Sequence, residues 1–387
     1  MKNLRILPLL VVLLASTWFD VAAQFTAIKV KGVVLDSITR EPVPFANAFF
    51  ANTTIGTTTN DKGEFSLNYP KAISAELVFS QLSFDLKKLW IDSKYKDSLL
   101  IILMHPKATN IKEVNIIGKK NPSREYYLRI FNQYFLGDPG KLNCVLENPG
   151  VIEFRKEGSR INASASTPLI IRNIRLGYYL KYYLDYFVFN DISDFDETKD
   201  NLSWYGFQGS ALYSKMNSQA KEVQQQWSDH RTEAYQGSFG HFLTCLYKDS
   251  LPANNYLVLR AGIPDSLPKE ILIDSVFYYD EAKLEQKYLH YAMWKNLRLF
   301  NRTRLDEASQ KRSLRFADSL LLFRDTRKTP LELYDDEVTL FHIGKGILEF
   351  NSQGTYQVYN SDLIWGALDS KKKIINLLPL DYHPESN

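Results

Sequence analysis

Apolar and polar positions follow two different spacings along this chain. Between residues 26 and 104 they alternate in short runs, each closed by Gly, Pro, Asp or Asn. Phe25 to Val34 and Glu64 to Leu67 alternate, and Phe45 to Phe50, Leu77 to Ser80, Leu82 to Ile91 and Leu99 to Leu103 add further short strand signals. That alternation predicts strands, and strands this short and frequent predict a sandwich. The loop Asp36 to Pro44 and the turn Asn60-Asp61-Lys62-Gly63 separate them. Asp36 and Asp61 fit turn-shaping roles, accepting nearby backbone N–H groups. A calcium site would need about six or more oxygen ligands, and no DxDxDG string is present.

Beyond Lys119-Lys120-Asn121-Pro122 the spacing changes. Tyr127, Ile130, Phe131 and Tyr134 share one face of a helix predicted over Arg124 to Phe135, with Asn121 or Ser123 as its cap. The clearest segment is Leu176 to Phe189, LGYYLKYYLDYFVF. Its even positions, Leu176 through Val188, form an apolar and aromatic face. Its odd positions mix Tyr179, Lys181, Tyr183 and Asp185. This predicts a long strand with one face on a core and a partly wet second face. Lys221 to Thr232 fits a helix, and Ser238 caps another over Phe239 to Tyr247. Residues 284–305 and 307–323 fit either period. Val338 to Ile343, Ile347 to Asn351 and Tyr356 to Tyr359 alternate again.

The N-terminus sets an expected compartment. Lys2 and Arg5 precede the apolar run Ile6 to Leu14, and Val21-Ala22-Ala23 supplies small residues for cleavage. This pattern predicts a secretory signal over residues 1–23 and an exported protein of the periplasm, outer membrane or cell surface. The run is too short to span a bilayer, which needs about 20 apolar residues, and no later run reaches that length. No transmembrane span is therefore expected in the mature chain.

Composition narrows the classes. The 387 residues carry a net charge of +3, so nucleic acid is not an expected partner. With 45% hydrophobic and 24% charged residues, the chain can bury a sizeable core. Two cysteines exclude a four-cysteine zinc site. In an oxidising compartment Cys144 and Cys245 are candidates for one disulfide. Closing a loop of about 100 residues, it would contribute up to ~4–5 kcal/mol in the chain-entropy model. Two separate buried thiols are the alternative.

A resemblance enters with GVVLDSITREPVPFANAFFANTTIGTTTNDKGEFSL. Gly32, Val34, Leu35, Asp36, Pro42, Pro44, Ala46, Gly56, Thr57, Thr59, Gly63 and Phe65 fall where the carboxypeptidase regulatory-like domain has its motif residues. The segment resembles that family, whose fold is a transthyretin-like sandwich. Such modules are generally non-catalytic. They occur beside metallocarboxypeptidase domains and on outer-membrane transporters of the Bacteroidota. The strings CVLENP, LGYYLKYYL, YQGSFGHFL and LLPLDYHP are similar to Bacteroidota envelope proteins that carry this domain, a group of unassigned function. The expected fold class is mainly β, or α+β: an N-terminal transthyretin-like β-sandwich followed by a larger β-rich α+β domain. The expected divisions are 1–23 signal, 24–106 sandwich, 107–123 linker and 124–387 second domain.

The chemistry that can be sought in the sequence is sparse. His230-Arg231-Thr232-Glu233 is an H-x-x-E string, and with His342 it could supply three ligands to a catalytic zinc. Against a zinc carboxypeptidase stand its polar surroundings, the sandwich lying before rather than after the candidate region, and the mainly β character there. No HExxH, P-loop or G-x-G-x-x-G occurs, and Gly237-Ser238-Phe239-Gly240 is not G-x-S-x-G. No cofactor is expected. Asp-Ser followed by Ile, Leu or Val recurs at Ser37, Ser98, Ser250, Ser266, Ser275 and Ser319. The string resembles the O-glycosylation pattern of exported Bacteroidota proteins, and it is also ordinary turn chemistry. The preferred reading is a non-catalytic envelope module for binding or assembly, with Tyr179, Lys181 and Tyr183 as candidate contacts. Its partner would be a protein or glycan, at or beside a transport or surface system.

Overall fold

The computed structural model of the chain describes residues 28–69, 75–91, 95, 98–107, 122–137, 143–191, 202–261, 303–307, 311–315, 319–324, 338–342, 346–354, 356–359, 364–365 and 373–384. The expected signal over residues 1–23 lies outside this set. Among the described residues no helix is long and apolar enough to cross a membrane.

Two sheets form the N-terminal sandwich. Strands β1 (Ile28–Asp36), β4 (Glu64–Tyr69) and β7 (Leu99–Met104) make one, in the order β4-β1-β7. Strands β2 (Asn47–Phe50), β3 (Gly56–Thr58), β5 (Ala75–Ser80) and β6 (Lys87–Ile91) make the other, ordered β3-β2-β5-β6. Inward residues interleave as the period of two requires: Val30, Val34, Phe65, Phe79, Ile91 and Met104 share one buried cluster. The turns use the chemistry read from the sequence. Asp36 Oδ1 accepts from the Ile38 and Thr39 amides at 2.7 and 3.2 Å. Asn60 Oδ1 accepts from Lys62 and Glu64 at 3.0 and 2.9 Å.

The second region opens with helix α1 (Pro122–Phe131), which continues as a π-helical turn over Asn132–Leu136. The helix starts earlier than the predicted Arg124, inside the expected linker. Pro122 takes its first turn, where a missing N–H costs nothing, so Ser123 lies within the helix rather than capping it. Strands β8 (Cys144–Leu146), β9 (Ile152–Glu157), β10 (Arg160–Ala165), β11 (Leu169–Asn173), β12 (Tyr178–Asp191) and β13 (Leu202–Lys215) build the largest sheet. β12 is its spine. β13 runs antiparallel along one edge, while β11 and β10 share the other edge end to end.

The predicted even face of β12 holds only halfway. Tyr178, Leu180 and Tyr182 point into the core, but beyond a register shift at Leu184/Tyr186 the core takes Phe187 and Phe189 instead. A bulge adds one residue to one strand, and one residue reverses which parity faces inward. α1 covers this face with Tyr127, Ile130 and Phe131, and the π-turn adds Phe135 and Leu136.

Helices α2 (Lys221–Tyr235) and α3 (Phe239–Tyr247) follow, and Ser238 Oγ caps α3 by accepting from the His241 amide at 3.1 Å. β14 (Tyr256–Ala261), β17 (Ser319–Arg324), β18 (Val338–His342) and β21 (Ile364–Trp365) form a fourth sheet. β15 (Thr303–Asp306), β16 (Lys311–Leu314), β19 (Ile347–Asn351) and β20 (Tyr356–Tyr359) form a fifth. The period left open around residues 303–323 thus resolves to strands where it is described. α3 packs with β16 and β19 through Phe242, Leu246, Leu314, Leu348 and Phe350.

The chain ends by returning to its start. After a short 3-10 turn at Ile374–Asn376, residues 373–384 cross the core end of the large sheet and reach the sandwich. The buried Asn173 amide donates to Ile374 O and Ile375 O at 2.8 and 3.2 Å. The Leu380 amide donates to Asn52 O at 2.7 Å. Asp381 receives the Thr54 amide on Oδ1 at 2.9 Å and the Thr54 hydroxyl on Oδ2.

A candidate binding surface at the seam of two sheets

The outer face of the sandwich's β3-β2-β5-β6 sheet packs on the outer face of β12 and β13. Alternation supplies the pieces: residues not used inside the sandwich project toward β12. Phe49, Ala51, Val78 and Tyr183 form a small dry cluster, flanked by Leu86 and Leu212. The Phe49 and Tyr183 rings stack at 5.2 Å and 25°. Asn52 and Thr53 bind the edge of β13 as a short extra strand. The Asn52 amide donates to Ala211 O at 2.7 Å, the Ala211 amide to Asn52 Oδ1 at 3.0 Å, and the Tyr213 amide to Thr53 O at 2.9 Å. Asn52 adopts a left-handed φ of 59°, which asparagine tolerates better than most residues.

Polar side chains close one end of this seam. Lys88 Nζ contacts both oxygens of Asp185, at 2.7 and 3.0 Å, and lies 3.7 Å from Glu76 Oε2. Ser210 Oγ donates to the same Glu76 oxygen at 3.1 Å. The Lys88, Glu76 and Asp185 side chains are partly covered and Ser210 is buried, so the network's ion pairs are open to water and add little stability. Its next neighbour on the sandwich is Trp90, which pairs with Glu76 across β5 and β6 and is 65% exposed.

The structure separates the three residues expected on the wet face of β12. Tyr179 and Lys181 are exposed, beside the Arg172–Glu147 ion pair at 2.9 Å. Tyr183 is a correction: it is buried in the seam, because the sandwich sheet covers that part of β12. Burial raises its hydroxyl pKa, with a hydrogen bond from Ser80 opposing. It cannot meet a partner without opening the seam.

The cysteines require a second correction. Both are buried thiols not joined in a disulfide, Cys144 in the core under α1 and Cys245 in the core of α3. No staple links the two regions.

The H-x-x-E string lies on α2 with other partners. His230 Nδ1 contacts Arg175 O at 3.0 Å, and Glu233 Oε2 pairs with the Arg175 guanidinium at 2.6 Å. Arg175 thus occupies the carboxylate that a zinc would need. His342 sits in β18, hydrogen-bonded in register with Ile364, and its side chain lies outside the described residues. Among the described residues no group of three His, Cys, Asp or Glu is placed to hold a metal. α2 is pinned to the turn before β12 by packing. Trp227 covers Gly177, where a Cβ would lie 2.4 Å from the indole, and Arg231 stacks over Tyr178 at 4.5 Å. Burial pushes the Tyr178 hydroxyl pKa up to about 12, with Arg231 pulling down and Asp381 and Tyr382 adding to the rise.

One polar cluster escaped the sequence reading. His241 and Cys245 stand one turn apart on α3, with His241 Nε2 3.4 Å from the Cys245 sulfur and Nδ1 2.9 Å from the Tyr256 hydroxyl. The i, i+4 spacing was the available signal. The Gly237 amide donates to His241 Nδ1 at 3.2 Å, so the ring proton sits on Nε2 and points at the sulfur. This imidazole cannot take the thiol proton in that tautomer, and the pair ties α3 to β14 rather than forming a nucleophile.

Of the Asp-Ser serines, Ser98 is exposed, while Ser37 and Ser250 are half-buried and hydrogen-bonded. Ser319 begins β17 with its side chain outside the described residues, as are Ser266 and Ser275 entirely.

Comparison with known proteins adds a family for the sandwich. Residues 30–116 match the CarboxypepD_reg-like domain, which extends past the expected boundary at 106. No curated protein matches the chain. Among solved structures, "a putative carbohydrate binding protein" from Bacteroides uniformis aligns at 13% identity over 40% of this chain and 57% of its own, with a TM-score of 0.17. A 9R-lipoxygenase from Cyanothece aligns at 12% identity over 59% of this chain and 49% of its own, with a TM-score of 0.16. Each match spans less than two thirds of the other protein, and at these scores neither carries a structural argument.

Proposed function

We propose that this protein is a non-catalytic binding or assembly module of the bacterial cell envelope. The carrying observation is where the apolar surface lies. Ile38, Phe45, Leu82, Trp90, Leu99 and Ile101 are between 64% and 73% exposed, and all six belong to the sandwich. The sandwich interior is already filled, and β12 and β13 cover the part of its second sheet around Phe49 and Val78. A contiguous exposed apolar patch marks a contact surface, whereas single exposed apolar side chains do not. Leu99 and Ile101 stand two residues apart on one face of β7, beside Lys31 and Val33 of β1. The regulatory-like identity of residues 30–116 agrees with a non-catalytic role.

In this reading the seam fixes the sandwich to the large sheet through its second sheet and leaves the β4-β1-β7 sheet, with Leu99 and Ile101, facing a partner. Tyr179 and Lys181 of β12 are a second exposed site. The partner is an exported protein or a glycan, and the N-terminal 23 residues deliver the chain to it. Sequencing the secreted form tests delivery: the mature N-terminus is expected at Gln24, and retention of Met1 would contradict export by cleavage. For the binding role, Leu99→Lys with Ile101→Lys is expected to abolish partner recovery from envelope extracts while leaving the melting temperature unchanged. Equal recovery by the variant would overturn the assignment of this surface.

A further inference from the structure

The open end of the seam has the composition of a saccharide site. We infer that the surface where β6 meets the bulge of β12 binds a pyranose chain, with Trp90 as its stacking platform. This rests on the binding-module reading above and names a ligand for one part of the module.

The argument starts from strand geometry. Lys88 and Trp90 project from the same face of β6, and the register sets Glu76 directly opposite Trp90 and Val78 opposite Lys88. Val78 is buried in the seam, so this row marks where the dry contact ends. Across the gap, Asp185 sits at the β12 bulge and Ser210 on β13. The result is one broad aromatic surface beside two carboxylates and an ammonium, with the buried Ser210 hydroxyl holding Glu76 from behind. The Lys88, Glu76 and Asp185 side chains are 25%, 21% and 30% exposed, so each is held in place yet reachable by solvent.

That combination suits a sugar better than a peptide or a lipid. One face of a pyranose ring carries polarised C–H groups that sit well on the electron-rich face of an indole. Its edge carries vicinal hydroxyls, each both donor and acceptor. A carboxylate accepts from one while the neighbouring ammonium donates to the next. The groups are already oriented by their mutual contacts, so little ordering is lost on binding. Trp90 itself has no packing reason to stay exposed on an edge strand, whereas Ile91 beside it is fully buried. Sites at the junction of two packed units are also where small ligands commonly bind.

The test uses the full mature chain and neutral hexasaccharides: cello-, malto-, manno- and xylohexaose. Binding is read by calorimetry and by the indole N–H resonance of Trp90. At least one oligosaccharide is expected to bind and shift that resonance. Trp90→Ala should weaken it by up to about tenfold, the upper end for such a ring contact. Trp90→Phe should retain part of the affinity, and Glu76→Gln should reduce it. An unchanged melting temperature in Trp90→Ala separates lost binding from lost folding, and Trp90→Phe stands in if that variant is unstable. A glycoprotein compared before and after deglycosylation distinguishes a protein-borne glycan from a free polysaccharide. If none of these probes binds, or if binding survives Trp90→Ala intact, the inference is wrong. Recovery of a protein partner through Leu99 and Ile101 would in that case leave the binding-module reading standing.

Discussion

Removing the Asp381 carboxylate should loosen the sandwich from the rest of the chain. Asp381 holds Thr54 by two hydrogen bonds, one to its amide and one to its hydroxyl, and both are partly buried. The neighbouring Leu380 amide reaches Asn52, so the same few residues of the C-terminal segment fix the loop that binds β13. A hydrogen bond to a charged acceptor is worth about 1.5–3 kcal/mol, and leaving the Thr54 amide without its acceptor adds to the loss. Partial exposure lets water replace part of this. Asp381→Ala is therefore expected to cost about 2–3 kcal/mol, and Asp381→Asn about 1 kcal/mol, because the amide oxygen still accepts from Thr54 N. At about 2–4 °C per kcal/mol, the alanine variant should melt roughly 4–12 °C lower. Hydrogen exchange gives the sharper assay. The amides of Asn52, Thr54 and Leu380 should exchange at least about tenfold faster, while those inside β1 and β12 keep their protection. A double-mutant cycle with Thr54→Ala should show coupling above about 1 kcal/mol. A melting temperature unchanged in Asp381→Ala, with no gain in exchange at residues 52–54, would refute the clasp.

Further outcomes follow from packing and titration. Gly209→Ala should destabilise by about 1–3 kcal/mol, because its Cβ would lie 2.4 Å from both the Tyr182 ring and Tyr183 O; chemical denaturation measures it. Tyr178, Tyr182 and Tyr213 have hydroxyl pKa values raised chiefly by burial. The unfolded chain ionises first as pH climbs past about 10, so stability is complete below that and is lost above it. Absorbance titration should show tyrosines that ionise only with unfolding. Burial lowers the His383 pKa, with Asp381 opposing. Its contribution is therefore complete above about pH 6.5 and falls as the pH drops below that; His383→Gln should flatten this acid limb in melting curves. Purified protein is expected to carry no zinc that depends on His230, and stoichiometric zinc lost in His230→Ala would revive the peptidase.

The sandwich was legible because its information is local. Asp36 and the Asn60 to Gly63 turn shape the chain through their own neighbours, and each strand is short enough for its alternation to show. β12 was legible as a strand but not in its facing. Tyr186 and Val188 continue the apolar pattern of Tyr182 and Leu184, and only pairing with β13 produces the bulge that turns Phe187 and Phe189 inward. Tyr183 failed as an exposed contact for a related reason. Its environment is set by Phe49 and Val78, far away in sequence, and alternation within β12 carries no record of them. The string LLPLDYHP showed neither helix nor strand period, yet its Asp381 bonds Thr54, 327 positions away. His241 and Cys245 were visible as a helical pair, but their tautomer is fixed by Gly237 and Tyr256, which no spacing rule joins to them.

The central claim is that the exposed apolar face of the sandwich is a contact surface of a non-catalytic module. Site-specific photo-cross-linking in intact envelopes tests it most directly, with the probe at Ile101 and, as a control, at Leu305, an exposed residue of β15. A discrete adduct from position 101 and none from position 305 is the predicted result. No adduct from 101, or adducts equally from both, would contradict it.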